Sequence, residues 1–169
     1  MANIRFIDHT EEVKALIVEL AESSLEEVCG ELESQVKRNQ SKYRDSGDTT
    51  NSWQHKVMRS GEDYIGIVGS DHENAIWEEF GTGEHALNKD GRKGYWVFVA
   101  GGDGGSTSKS KKSYTLKQAK RIVAIMRKKG LNAYYTSGKK PRRHFQKAYD
   151  KNKNKMIKFI QDRFKGGLS

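Results

Sequence analysis

Between Asp8 and Lys42 apolar residues recur every three or four positions. Val13, Leu16, Ile17, Leu20, Val28, Leu32 and Val36, with Ser24 in the series, fall on one helical stripe. The spacing predicts one long helix whose other face carries the acidic run Glu19–Glu33, and Asp8 with Glu11 reads as its capping box. Residues 42–52 lose the pattern and read as a loop. Trp53–Met58 and Tyr64–Gly69 read as two strands of a hairpin turning at residues 59–63. Asp71–Glu79 predicts a short helix with Ala75, Ile76, Trp77 and Phe80 at helical spacing, closed by Gly81. Residues 82–94 form a polar loop, and 94–102 a strand in which Tyr95, Val97 and Val99 alternate with Trp96 and Phe98.

The stretch of about 101–112, rich in Gly, Ser and Lys, reads as a flexible loop. A helix follows, with Thr115 and Gln118 as a capping box, Leu116, Ala119, Ile122, Val123 and Met126 as the apolar face, and Gly130 as the stop. Asn132–Thr136 predicts a strand that extends the sheet. Arg142–Phe164 predicts a last helix with Phe145, Ala148, Tyr149, Met156, Ile160 and Phe164 inward. The class expected is α+β in one domain over 1–169. A small, mainly antiparallel sheet of about four strands is flanked by a long N-terminal helix and a long C-terminal helix.

Composition narrows the picture. The apolar fraction is 34% and charged residues reach 31%, so the core is thin and part of the stability is expected from neighbouring subunits. A single cysteine, Cys29, excludes an internal disulfide and reads as a small buried hydrophobe. With neither a signal-peptide h-region nor a run of about 18 apolar residues, the chain is expected in a reducing cytoplasm and off the membrane. Charge is divided along the sequence. Residues 1–90 hold 9 Lys+Arg against 19 Asp+Glu, and residues 91–169 hold 22 against 3. Such a division suits subunits packed acidic face to basic face, and equally one face turned to nucleic acid.

No catalytic pattern emerges. The histidines at 9, 55, 72, 85 and 144 lack metal-ligand spacing, and His72 with Glu78 and Glu79 is only a residue set common to short exposed helices. The glycine-rich GGDGGSTSKS misses the phosphate-loop spacing, and the Glu12-x-Lys14 pair lies in a helix where a nuclease needs it on a strand. Neither cofactor nor metal is expected. Lys109, Lys111, Lys112, Arg142, Arg143, Lys151 and Lys155 are the candidate contacts to a partner or to DNA phosphates.

Three segments carry a resemblance. Asn74-Ala75-Ile76-Trp77-Glu78-Glu79-Phe80-Gly81-Thr82-Gly83 resembles the Tyr/Trp-x-Glu-Phe-Gly-Thr signature of the bacteriophage head–tail joining, neck or tail-completion (minor tail) family. Upstream, the turn from Ser46 and Gly47 through Ser52 into Trp53 resembles that family's turn into its first strand. Downstream, Gly138–Ala148, with Pro141, Phe145 and Ala148, resembles the start of its last helix. Here Ser46 and Thr49 stand where the family has Thr and Leu, and Arg-Arg-His-Phe stands for Arg-Pro-Phe-Leu. The resemblance implies a structural, non-enzymatic phage or prophage protein that joins head or connector to tail. It further implies a homo-oligomeric ring whose partners are the connector, tail terminator or tube; non-specific DNA contact is expected from the basic residues themselves. Its place would be the host bacterial cytoplasm during assembly and then the neck or tail of the virion. The alternative is a basic nucleic-acid-binding protein. In the signature, Phe80 is expected to bury its ring (about 2–3 kcal/mol if fully covered), and Gly81 to end the short helix. Glu79 and Thr82 are expected to bond amides of the following turn, and Pro141 to sit in the first turn of the last helix.

Overall fold

The computed structural model describes residues 8–43, 47–100, 106–107 and 112–168. Its elements run α1 (Thr10–Ser41), α2 (Asp48–Asn51), β1 (Trp53–Ser60), β2 (Asp63–Ser70), α3 (Glu73–Phe80), a 3-10 turn (Gly83–His85), β3 (Trp96–Ala100), β4 (Ser106–Thr107), α4 (Leu116–Lys128), β5 (Ala133–Thr136) and α5 (His144–Gly167). The α+β class, the antiparallel pairing and the two long terminal helices are as expected. The strands divide between two sheets where one was expected: β1 pairs with β2, and β4-β3-β5 form the other. The β5 strand therefore extends the β3 sheet, not the hairpin. The chain groups into two compact units, residues 1–72 with 144–169, and residues 73–143.

The first unit is organised on α1. The hairpin lies against this helix, and α5 packs along it in the antiparallel sense: Asn39 Nδ2 donates to the His144 carbonyl at one end (3.1 Å), while Leu20 lies against Gly167 at the other. The stripe read from sequence divides in two. Ser24, Val28, Leu32 and Val36 are buried, whereas Val13, Leu16 and Ile17 are exposed. Cys29 is buried, and burial together with Glu26 pushes its thiol pKa up. Its Sγ faces Gly66 of β2, where the missing Cβ lets the strand approach the helix. The Asp8–Glu11 capping box does not form. Asp8 Oδ1 accepts from the Thr10 amide (2.9 Å) and hydroxyl (2.5 Å), and Glu11 turns to Lys14 at 2.8 Å. Helical backbone begins only at Thr10, one position too late for an Asp8 cap to reach Glu11.

In the second unit the Thr115–Gln118 capping box is complete, with both reciprocal bonds made. Ala119 and Val123 of α4 are buried, and Ala133 of β5 is buried as well. The residues of β3 are half-buried throughout, with Phe98 stacked on Tyr134 at 5.7 Å and Arg92 over Trp96 at 5.0 Å. Within the expected flexible loop of 101–112, Ser106 and Thr107 pair with Ala100 and Val99; residues 101–105 and 108–111 lie outside the described residues.

An ion-pair cluster ties the hairpin to α1. The two ring nitrogens of His55 face two carboxylates, Nδ1 to Glu33 at 2.5 Å and Nε2 to Glu26 at 3.1 Å, and Lys37 reaches Glu33 at 2.5 Å. The Glu33 hydrogen bond, opposed by burial and aided by Glu26, raises the His55 pKa above its ordinary 6.5. Burial acts to raise Glu33, but the hydrogen bonds from Lys37 and His55 together hold it below 4.5. The His55 contribution is complete below its unfolded pKa of about 6.5 and disappears as pH rises through the higher folded value. The Glu33 contribution is present above about 4.5 and disappears on acidification. Urea midpoints measured from pH 5 to pH 9 should therefore fall on the alkaline side for the wild type. That alkaline slope should flatten in His55→Gln; an identical profile in both proteins would contradict the assignment.

Candidate interaction surface

The Trp77–Thr82 signature is built around a carboxylate that was not singled out in the sequence motif. In α3, Ala75, Glu78 and Glu79 are buried, while Ile76, Trp77 and Phe80 are 59%, 47% and 48% exposed. At 100° per residue these are opposite faces, so the helix is amphipathic with its apolar side outward. Glu78 sets that orientation. Its Oε1 accepts from Lys139 Nζ at 2.6 Å and Arg142 Nη1 at 3.0 Å, and its backbone carbonyl accepts from the amides of Arg142 (2.7 Å) and Arg143 (3.3 Å). A carboxylate charge taken out of water needs such partners, whereas an aromatic ring left half-exposed costs only forgone burial. The expected burial of Phe80 is therefore not observed, because the pinned polar face of α3 turns the ring outward.

Gly81 does end the helix. It has φ +74°, and its amide donates to the Trp77 carbonyl at 2.9 Å. A Cβ there would lie 2.8 Å from Pro141 Cδ and from the His85 carbonyl oxygen, so both the turn and the close approach require glycine. The Thr82 carbonyl accepts from the His85 amide of the following turn at 3.2 Å, while its amide and side chain bond across to a distant segment. Its amide donates to the Lys139 carbonyl and its Oγ1 accepts from the Lys139 amide, both at 2.9 Å, and the Glu84 amide donates to Ser137. Pro141 precedes α5, which starts at His144; Arg143, at φ +55°, breaks the helical path between them. The proline belongs to the strap closing over Gly81, not to a first helical turn.

Ile76, Trp77, Phe80 and Leu87 line an open groove of about 340 Å³ that the polar Asn88 and Asp90 also border. Single exposed apolar residues are ordinary, but four large ones gathered round one groove form a contact surface. Backbone pairing through Gly81, Thr82 and Leu87, and the Glu78 ion pair on the opposite side of α3, hold these residues in place.

The other signature residues lie in the first unit. Gly47, at φ +101°, opens α2, and Ser52 Oγ bonds the Thr49 carbonyl (2.9 Å) and Ser70 Oγ (2.6 Å). Trp53 donates its Nε1–H to Gln40 at 2.8 Å and stacks on Phe145, which stacks in turn on Tyr149, at ring separations of 5.8 and 6.5 Å. Ala148 is buried and lets α5 sit close to its neighbours. Sequence pattern marked these residues through the family's motifs. Glu78 escaped because one acidic residue beside another carries no periodic signal.

The cationic residues sort by what they touch. Arg142 is engaged with Glu78, and Arg143 is exposed at the strap. Lys151 is exposed on α5. Lys155, also exposed, borders a groove that contains Glu27 and Glu31. Lys112 is exposed, and its carbonyl accepts from Arg92; Lys109 and Lys111 fall outside the described residues. Among the described residues no group of three or more His, Cys, Asp and Glu is arranged to hold a metal ion, and none of the helices is long and apolar enough to cross a membrane. Comparison of the chain with protein-family models, curated proteins and solved structures returned no match.

The inverted α3 makes Phe80→Ala mild and Glu78→Ala severe. Half-exposed Phe80 should cost about 1 kcal/mol or less, against the 3–5 kcal/mol of a buried Phe. Loss of Glu78, whose partners are themselves part-exposed, should cost about 2 kcal/mol. Chemical denaturation of the two variants checks the order; the reverse order would place Phe80 in the core.

Proposed function

We propose that the chain is a structural subunit of phage or prophage virion assembly, a neck or tail-completion component that helps join the head and its connector to the tail. The observation carrying this reading is the group of exposed apolar side chains, Ile76, Trp77, Phe80 and Leu87, around one groove built on the residues that resemble the Glu-Phe-Gly-Thr signature. A surface of this kind serves to be gripped. Covering its apolar area favours association, and side chains already held in place lower the ordering cost. The exposed first turns of α1, at Val13, Leu16 and Ile17, and the outer hairpin face at Met58, Ile65 and Ile67 offer further apolar area to neighbours. Distinct patches on one subunit suit heterologous contacts that repeat head to tail and close into a ring. The partners in this reading are further copies and the connector, tail terminator or tube, and no bond is made or broken at the groove.

Electron microscopy of particles made without this protein tests the proposal. Deletion should yield DNA-filled heads and separate tails, and complementation with a Trp77→Ser/Phe80→Ser variant of unchanged circular dichroism should leave them separate. Intact tailed particles from the deletion would overturn it.

A further inference from the structure

The second unit carries a charge pattern that the assembly groove does not use. No Asp or Glu occurs between Asp103 and the end of the unit at Arg143, while 13 Lys and Arg do. Some of these cations are already employed. Lys139 and Arg142 hold Glu78, and Arg127 donates to the Ala133 carbonyl at 2.9 Å and lies over Tyr134. The α4 cations Lys117, Lys120, Arg121 and Lys128 are exposed, and no carboxylate among the described residues is in ion-pair contact with them. At 100° per residue they lie within one stripe centred on Ala124, opposite the buried Ala119 and Val123. The stripe spans about 16 Å, the axial length of about five nucleotides of one DNA strand.

We infer that the outer face of α4 is a phosphate-backbone docking site for duplex DNA, with Lys117, Lys120, Arg121 and Lys128 as its contacts. A second copy's acidic α1 is the competing occupant, and the structure disfavours it. The α1 carboxylates are already extensively paired: Glu11 with Lys14, Glu12 with His9, Glu26 and Glu33 with His55, Glu33 with Lys37, and Glu31 with Arg38. Glu19, Glu22 and Glu27 lie outside these pairs, but most α1 carboxylates would have to give up a partner, whereas the α4 cations meet an external polyanion without breaking an ion pair among the described residues. Three of the four contacts are point-charge lysines and no polar side chain is positioned among them, so binding is chiefly to backbone and largely independent of sequence.

Fluorescence anisotropy of the purified chain with a short random-sequence duplex tests this apart from any role in virions. Four such contacts predict about a 100-fold loss of affinity between about 50 and 200 mM salt. Replacing them in K117Q/K120Q/R121Q/K128Q should lower the slope of log affinity against log salt by about 3 to 4. Glutamine is a good helix former at these exposed positions, so circular dichroism should not change. The charge-matched K147Q/K151Q/K153Q/K158Q variant in α5 should keep most of the slope. The inference is overturned if the wild type does not bind, if both variants lose slope equally, or if the wild type only self-associates at low salt through the α4 residues.

Discussion

Glu78 is the constraint on which the second unit depends. Its carboxylate joins side chains 61 and 64 positions away, and its carbonyl takes two further amides from the same strap. The strap then pairs with the residues just after α3, so the glycines at 81, 83 and 138, all at positive φ, are needed where two backbones run too close for a Cβ. A short helix of eight residues has little stability of its own. Held by its polar face, it displays Trp77 and Phe80 without having to bury them. The groove is thus a consequence of polar pinning, and the aromatic residues are free to serve a partner.

The first unit follows the opposite logic. There α1 supplies a buried apolar stripe from Ser24 to Val36, and the hairpin and α5 cover it from two sides. Polar contacts complete the packing: buried Gln40 on the Trp53 indole, Asn39 on the start of α5, and Glu33 and Glu26 on His55. A two-stranded hairpin is only marginally stable alone, so its docking on the helix through Gly66 and the His55 cluster gives it a fixed place.

Much of this was legible in the sequence. The 3.6-residue period marked α1, α4 and α5 to within a few residues, and the Thr115–Gln118 box was read correctly because both partners are local. Gly81 was legible for the same reason, since a helix stop is a local event. The failures were non-local. Phe80 was assigned inward because its apolar neighbours shared a helix face, and nothing nearby signals that Lys139 and Arg142 reclaim the other face. Pro141 looked like a helix start because a positive φ at Arg143 leaves no mark in composition. The assignment of strands to one sheet or two is also tertiary information, and alternation within each strand does not contain it.

The charge division along the sequence changes meaning once contacts are known. As a count, the first half is as notable for its carboxylates as the second is for its cations. In the folded chain Glu11, Glu26, Glu31 and Glu33 of α1 contact Lys14, His55, Arg38 and Lys37, so part of the acidity of that helix is internal bonding. In the second unit Glu78 alone takes up Lys139 and Arg142, and α4 is left with a stripe that has no acidic neighbour in sequence to quench it. Exposed like charges repel one another and are screened over about 8–10 Å of salt solution, so such a stripe is a standing cost to the isolated chain. Exposed aromatic and aliphatic side chains on α3 and an unquenched cationic face on α4 thus occur in one unit, and neither is satisfied by the contacts the chain makes with itself among the described residues.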